Sequence, residues 1–572
     1  MTLSSRGRQI DQVRQALELL LQCASELCGL VPVGHKFTLY APLLEDVVTP
    51  AAYARAVPLL EAAIERHTPV DALQRGERCS AQVTCLVAGG VPIGTAAFVR
   101  GHARRVLEEH ALVHQEFGLL RDTQSCYLLL RFCLGVRFTS FLVPMLGPAL
   151  LEDATLGEPS LLAAHDEQQR RSLSHLLVPP ELEDAQRAPL LGGGVAELVW
   201  RQACLRSRDG GLSISSAELV WAAAHLARGA ACLGYLRDHH AAVFQLVDAD
   251  LGPTSTLPYF DGLRTAVARL QQQTSDTTSL ADFLSGSPRS QHDISESVFA
   301  RELPQVHAAQ PDDRQRARLR SAGGAHAGSW LGCFPMSMWT TARARHYSMA
   351  LALRVGHPML QLQLRLSSTG VAAECGGCHM YHDLYGFHLG VCRTGNRKGL
   401  WTSRHDAVQA ALLAAIRYIG GSCLSVSVGS GNWFGAAGVR PGSTSYRRAD
   451  LVLAHYYGPG RHLFLDVAVA DPASGSALAC SPSSAVSSGV AAQLRASKKA
   501  AKYEPLAQSV SSAFRPAVIE RYGACCDDLV GLIRMLCGDR DRDQLEPDYA
   551  FSTCSRSTYI HGLSRRVCVC AG

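Results

Sequence analysis

The sequence predicts a multidomain protein: a mainly α-helical N-terminal region, a small Cys/His knuckle, and then a small α/β domain. Three observations predict it. The 572 residues exceed what one core usually organises, since domains run to roughly 100–200 residues. Apolar residues recur at helical spacing through the first 240 residues. Beyond residue 450 the texture changes to short Val- and Leu-rich runs separated by turn residues. A hydrophobic content of 47% supplies enough apolar surface to offset chain entropy over most of the length, so wholesale disorder is not expected.

Taken in order, helical periodicity runs from Ile10 to Leu30, Ala54 to Arg66, Gly101 to Glu116 and Ser125 to Val136. TCLVAGGVPIG at 84–94 interrupts it as a strand-like break whose glycines permit a tight turn. Ala217 to Arg237 is apolar on most faces and reads as a buried helix. Residues 271–329 hold QQQTSDTTS, SGSPRSQHD and SAGGAHAGS, which bury little and read as a linker or irregular insertion. Helical patterns follow at Thr340 to Leu353 and Arg404 to Ile419. LVLAHYY at 451–457 and HLFLDVAVAD at 462–471 flank GPGR and read as a hairpin. A helix from Ser488 to Tyr503, a strand PAVIERYG at 516–523 and a helix from Asp527 to Cys537 complete an α/β unit.

Two constellations carry chemistry. CGGCHMYHDLYGFHLGVC at 375–392 has the spacing C-x2-C-x9-H-x3-C. Cys375 and Cys378 leave one tight turn together, and His388 and Cys392 share one helical turn, giving three thiolates and one imidazole, a tetrahedral set for structural zinc. His379 and His382 compete as ligands. The second constellation is Asp450 before the hairpin, Asp466 inside it, and Lys498, Lys499 and Lys502 on the next helix. A strand carboxylate among apolar neighbours, FLDVAV, needs a cation, and Mg²⁺ held by two carboxylates with a lysine nearby suits phosphodiester hydrolysis. A structural ion pair of Asp466 with Arg447, Arg448 or Lys502 is the alternative. Arg447, Arg448, Arg495, Lys498 and Tyr503 are the candidate nucleic-acid contacts, the cations for phosphates and the ring for stacking or hydrogen bonding; a solvated charged face is the plain alternative.

A net charge of +5 is too small to identify a polyanionic partner by itself. The N-terminus, MTLSSRGRQIDQVRQALELL, is charged and amphipathic and reads as a helix, not a signal peptide, and no uncharged apolar run reaches the roughly 18 residues of a membrane span. The 20 cysteines follow no framework spacing, which predicts thiols in a reducing intracellular compartment; Cys525, Cys526 and the tail VCVCAG belong with these.

The order of motifs resembles a known family. A Cys/His knuckle followed by RRADLVL, LFLDVAVADP, KKAAKY and FRPAVIERYG is similar to the C-terminal region of non-LTR retrotransposon polyproteins that carry a restriction-like PD-(D/E)xK endonuclease. HAGSWLGCFPMSMWTTARARHYSMALALRVGHPM resembles the segment before the knuckle in those proteins, and RDGGLSISSAELVWAAAHLA resembles their motif after the polymerase thumb. GGVPIGTAAFV at 89–99 and GLVPVGHKFTLYAP at 29–42 resemble reverse transcriptase segments that follow the palm motif. The resemblance implies zinc on Cys375, Cys378, His388 and Cys392, catalytic Mg²⁺ on Asp450 and Asp466, and Lys499 or Lys502 as catalytic lysine. It implies DNA as partner, with RNA second, a nuclear location and no membrane. Ala449 stands where the family has proline, and Ala468 where a D-x-K nuclease has lysine, which implies an amine supplied from the following helix.

The implied organisation is a remnant of palm end and thumb-like helices at 1–150, a helical connector at 151–270, the linker at 271–329, a connector helix and zinc knuckle at 330–400, a restriction-like nuclease at 401–540 and a tail at 541–572. The aromatic-Ala-Asp-Asp polymerase signature does not occur, so reverse transcription is not expected and the chain reads as a truncated element product. A nucleic-acid grip without cleavage, or a decayed fragment without activity, are the competing readings.

Overall fold

In the computed structural model the described residues are mainly 96–239, 258–274, 278–285, 290–358, 374–420, 425–428 and 449–537, with short breaks, together with the strands named below. The chain forms two compact units, one of residues 1–109 with 145–161 and one of 110–144 with 162–572. The segments 1–150 and 151–270 are therefore each divided between units, and residues 401–540 share one unit with the knuckle.

In the first unit, β1 (Thr38–Tyr40) pairs in parallel with β2 (Ser80–Gln82), and β3 (Leu86–Ala88) pairs antiparallel with β4 (Val91–Ile93), both inside the strand-like break expected at 84–94, whose Gly89 and Gly90 lie outside the described residues. Helix α1 (Ala96–Glu116) follows and runs into the second unit. Within the first unit, the Arg100 guanidinium donates to the carbonyls of Ala149 and Pro159 at 2.8 and 3.0 Å, tying the 145–161 segment to α1.

The second unit begins with helices. α2 (Thr123–Leu129) is capped by Asp122 and continues as wider π turns over Leu130–Leu134. α3 (Leu161–Leu177), α4 (Asp184–Gly192), α5 (Glu197–Cys204) and α6 (Ala217–His239) follow. The stretch Thr123–Leu150 and α6 are long and apolar enough to cross a membrane by length and composition, but 56% and 53% of their most apolar windows are buried within the protein, as core helices are. α7 (Pro258–Thr274), α8 (Leu280–Ser285), α9 (Gln291–Ala308) and α10 (Asp313–Ala322) then cover most of the segment expected to be a linker or insertion. That expectation fails because the polar runs lie at helix ends, where they cap: Ser290 and Asp293 form a reciprocal capping box on α9, and Asp312 caps α10. Ile294, Val298 and Val306 give α9 its buried stripe.

α11 (Ala344–Val355) packs its Tyr347 and Leu351 against Tyr127, Trp200 and Trp330. The RDGG turn before α6 is fastened to it. Arg354 donates to the carbonyls of Gly211 and Ala327 at 3.0 Å each, and Gln202 donates to those of Gly210 and Arg354. A side chain at 211 would put a Cβ 2.0 Å from the Leu205 carbonyl oxygen, so only glycine fits that approach.

After the knuckle helix α12 (Phe387–Val391) comes α13 (Arg397–Gly420), then β5 (Ser425–Val428), β6 (Leu451–Ala454), β7 (Leu463–Ala470), α14 (Gly475–Cys480), α15 (Val490–Gln508), β8 (Ala513–Glu520) and α16 (Asp527–Cys537). The strands form one sheet in the order β5-β6-β7-β8, antiparallel except for the parallel pair β7–β8. Leu451, Leu453, Leu463 and Leu465 pack with Val408, Leu412 and Ile416 of α13 and Leu529 of α16. The alternate residues Val452 and Phe464 pack with Phe514 and with Ala507 of α15. Helices thus cover both faces, which is why every residue of β7 is buried. Strands, hairpin and flanking helices fall close to where the sequence places them.

Candidate functional site

The four knuckle ligands converge. Their ligating atoms lie within 4.8 Å of one another, with Cys375 Sγ–Cys392 Sγ at 3.6 Å, Cys378 Sγ–Cys392 Sγ at 3.7 Å and Cys378 Sγ–His388 Nε2 at 3.2 Å. Tetrahedral zinc with bonds of about 2.3 Å separates its sulfurs by about 3.8 Å, so the spacing fits. The side chains can hold a metal ion such as zinc. Local backbone builds the site: Cys375 donates to the Met380 carbonyl, Glu374 bridges Tyr381, and the Asp383 carboxylate accepts the N–H groups of Tyr385, Phe387 and His388 to start α12. The Met380 N–H favours the Cys378 thiolate, but burial and the crowding sulfurs of Cys375 and Cys392 push the thiol up on balance. Three sulfurs so close gain most from a bound cation. His379 instead bonds Glu374 at 2.7 Å, and His382 lies with its ring 5.2 Å from that of His388, so neither joins the set.

The knuckle is clamped to the sheet. Arg521, buried at the end of β8, donates to the Gly386 carbonyl at 3.1 Å and pairs with Asp471 at 3.3 Å, while Arg404 of α13 donates to the Gly390 carbonyl at 2.9 Å. Phe387 packs with Ala322, Ala473 and Tyr522, linking knuckle, α10 and sheet. The knuckle is a brace in the literal sense.

The second constellation also assembles. Asp450 donates its N–H to the Leu465 carbonyl and its Oδ2 accepts the Val467 N–H at 2.6 Å, which sets it beside Asp466 across the hairpin. Lys499 Nζ bonds Asp466 Oδ2 and stands 3.5 Å from the Val467 carbonyl. Burial and the neighbouring Asp450 push the Asp466 carboxyl up to about 6 in spite of that lysine. Burial also opposes ionisation of Asp450, but His405, Asp466 and the Val467 N–H hold its carboxyl below the ordinary range.

His405 of α13 is the member that sequence reasoning missed. Its Nε2 lies 3.3 Å from Asp450 Oδ2 and 3.1 Å from the Val467 carbonyl, and the Asp450 contact raises the imidazole to about 9 against burial. Gln409, one turn on, donates to the Asp450 carbonyl at 2.7 Å. No sequence signal marks them, because His405 sits in the polar run TSRHD near the start of α13.

Other expected residues fall elsewhere. Lys502 is exposed with its ammonium 4.8 Å over the Tyr503 ring, and it does not replace Lys499. Helical phase explains the choice, because Lys499 follows the buried Ala492 and Ala496 by seven and three positions. Tyr503 is half-buried with its ring 5.3 Å from that of Phe514, against the core. Asp466 pairs with Lys499, not with Lys502; Arg447 and Arg448 lie outside the described residues. Arg495 and Lys498 line a cleft beside the knuckle. Cys525 and Cys526 are thiols.

No protein-family model matches the chain, and no curated protein matches it.

Proposed function

We propose that residues 330–572 form a metal-dependent DNA endonuclease region of retrotransposon ancestry, with a structural zinc knuckle and a restriction-like PD-(D/E)xK nuclease domain. The observation that carries this reading is the meeting of Asp450, Asp466 and Lys499, drawn from a hairpin and the helix that follows it. The motif order in the sequence supports the ancestry.

The donor set suits Mg²⁺. Two carboxylates and the Val467 carbonyl are hard oxygen ligands in one place, and a buried carboxylate raised to about 6 beside another carboxylate is relieved by a divalent cation. Bound there, the metal would supply charge neutralisation at a phosphodiester and a more acidic water. Lys499 favours the ionised, ligating form of Asp466 against burial and Asp450, and keeps an ammonium beside the reacting position, where it can donate to a phosphate oxygen or orient the attacking water. His405 and Gln409 fix Asp450 from α13.

The test is plasmid nicking by the full chain with Mg²⁺, with Asp466→Ala as control. Nicking by the wild type alone supports the reading; equal, background nicking by both sinks it. A second reading, a nucleic-acid grip without cleavage, draws on one observation: Asp450 and Asp466 already have cationic side-chain partners, as structural ion pairs do. A wild type that shifts DNA in a gel without nicking it would favour that second reading.

A further inference from the structure

One face of α15 serves the aspartates through Lys499, and the adjoining face lines a separate cleft of about 450 Å³. Consecutive helical residues point about 100° apart, so Lys498 and Lys499 can serve different sites from one turn. Leu494, Arg495 and Lys498 line the cleft from α15, Asp471 from the end of β7, Arg404 from α13, and Gly390 from the knuckle helix.

The charged lining is mostly cationic. Three cations, Arg404, Arg495 and Lys498, face one carboxylate, Asp471, and that carboxylate is already engaged by the buried Arg521. Burial and the nearby Arg521 guanidinium both lower Arg404 from its ordinary value, so an added anion would stabilise it. Arg404 is held in place by its bond to the Gly390 carbonyl, and Lys498 reaches solvent. A fixed guanidinium with Arg495 and the solvent-exposed Lys498 on the same cleft wall fits a tetrahedral phosphate oxyanion.

We propose that this cleft is a phosphate subsite that holds a backbone phosphodiester of duplex DNA flanking the one at Asp450 and Asp466, with the knuckle helix as one wall. The choice of DNA rests on the nuclease reading; the preference for a phosphodiester rests on the cleft.

The test measures binding of a short fluorescein-labelled DNA duplex to the zinc-loaded full chain by anisotropy, without Mg²⁺, over a series of salt concentrations. Arg495→Gln/Lys498→Gln should lower affinity at least tenfold at about 0.1 M salt. It should also reduce the slope of log K against log salt by about 1, since one phosphate contributes roughly 0.9. Lys502→Gln, a charge change on the same helix outside the cleft, should move affinity less than twofold. Unchanged affinity and slope in the double variant, or an equal loss from Lys502→Gln, overturns the subsite. Mg²⁺-dependent nicking by the same preparations separates the two readings. A wild type that binds through the cleft but does not nick leaves the subsite standing and sinks the nuclease. Nicking with unchanged affinity in the double variant sinks the subsite alone.

Discussion

The knuckle and the aspartate pair are polar sites braced on the same sheet, and they are put together in different ways. The knuckle takes all four ligands from one continuous stretch, Cys375 to Cys392, ordered by its own turns and by Asp383. The aspartate site takes His405 from α13, Asp450 and Asp466 from the β6–β7 hairpin and Lys499 from α15. A locally encoded site depends on its metal more than on the surrounding fold, whereas a dispersed site depends on the packing of several elements. Variants can separate these dependences.

The largest effect should come from Cys378→Ser. Structural zinc contributes on the order of 10 kcal/mol in small zinc peptides, so losing one thiolate should abolish zinc retention by metal analysis. Asp466→Asn should leave zinc at the wild-type level; loss in both variants would break the contrast. Gly390→Ala comes next. Its Cβ would stand 2.0 Å from Arg521 Nη1 and 2.7 Å from Asp471 Oδ2, and displacing a buried ion pair in a packed interface should cost about 3 kcal/mol in denaturant unfolding. A cost near zero would mean that the knuckle is not clamped to the sheet.

A smaller loss, about 2 kcal/mol, is expected for Lys499→Met, which leaves Asp466 buried without its ammonium; the double variant Asp466→Asn/Lys499→Met should recover part of it. Additive losses would show that the two side chains do not couple.

The smallest effect concerns acid. Burial holds His357 near 4, and burial with His165 and His110 holds His114 near 4, both below the ordinary 6.5. Because the folded values lie below the unfolded ones, both rings are neutral in the fold. Their stabilisation is complete above about pH 6.5 and is lost as pH falls towards about 4. His357→Gln should flatten that fall by about 1–2 kcal/mol near pH 5, read from unfolding midpoints, without changing the pH at which zinc is released.

The same contrast governs what the sequence reveals. Cys375, Cys378, His388 and Cys392 are legible because ligand spacing is itself local geometry. The hairpin is legible from alternation and from glycines at its turn, where Gly458 and Gly460 have φ of 113° and 74°. His405 is invisible as a site residue, since only the packing of α13 under the sheet brings it to Asp450. The choice between Lys499 and Lys502 needs helical phase set against a known core. The helices between 280 and 322 are obscured because their caps and their loops use the same polar residues, and only burial of Ile294, Val298 and Val306 distinguishes them.

The sheet also implies a schedule. β6 and β7 meet through the short loop His455–His462, but β7 meets β8 only after the chain has passed through α14 and α15, because parallel partners need a long crossover. As synthesis runs from N- to C-terminus, the hairpin can bring Asp450 and Asp466 together before Lys499 arrives. His405 precedes the hairpin, so Asp450 can find its partner early, whereas Asp466 lacks its ammonium until the crossover docks. Closure of the parallel pair and electrostatic balance of Asp466 become one folding event, and amide protection of β8 should appear together with that of α15.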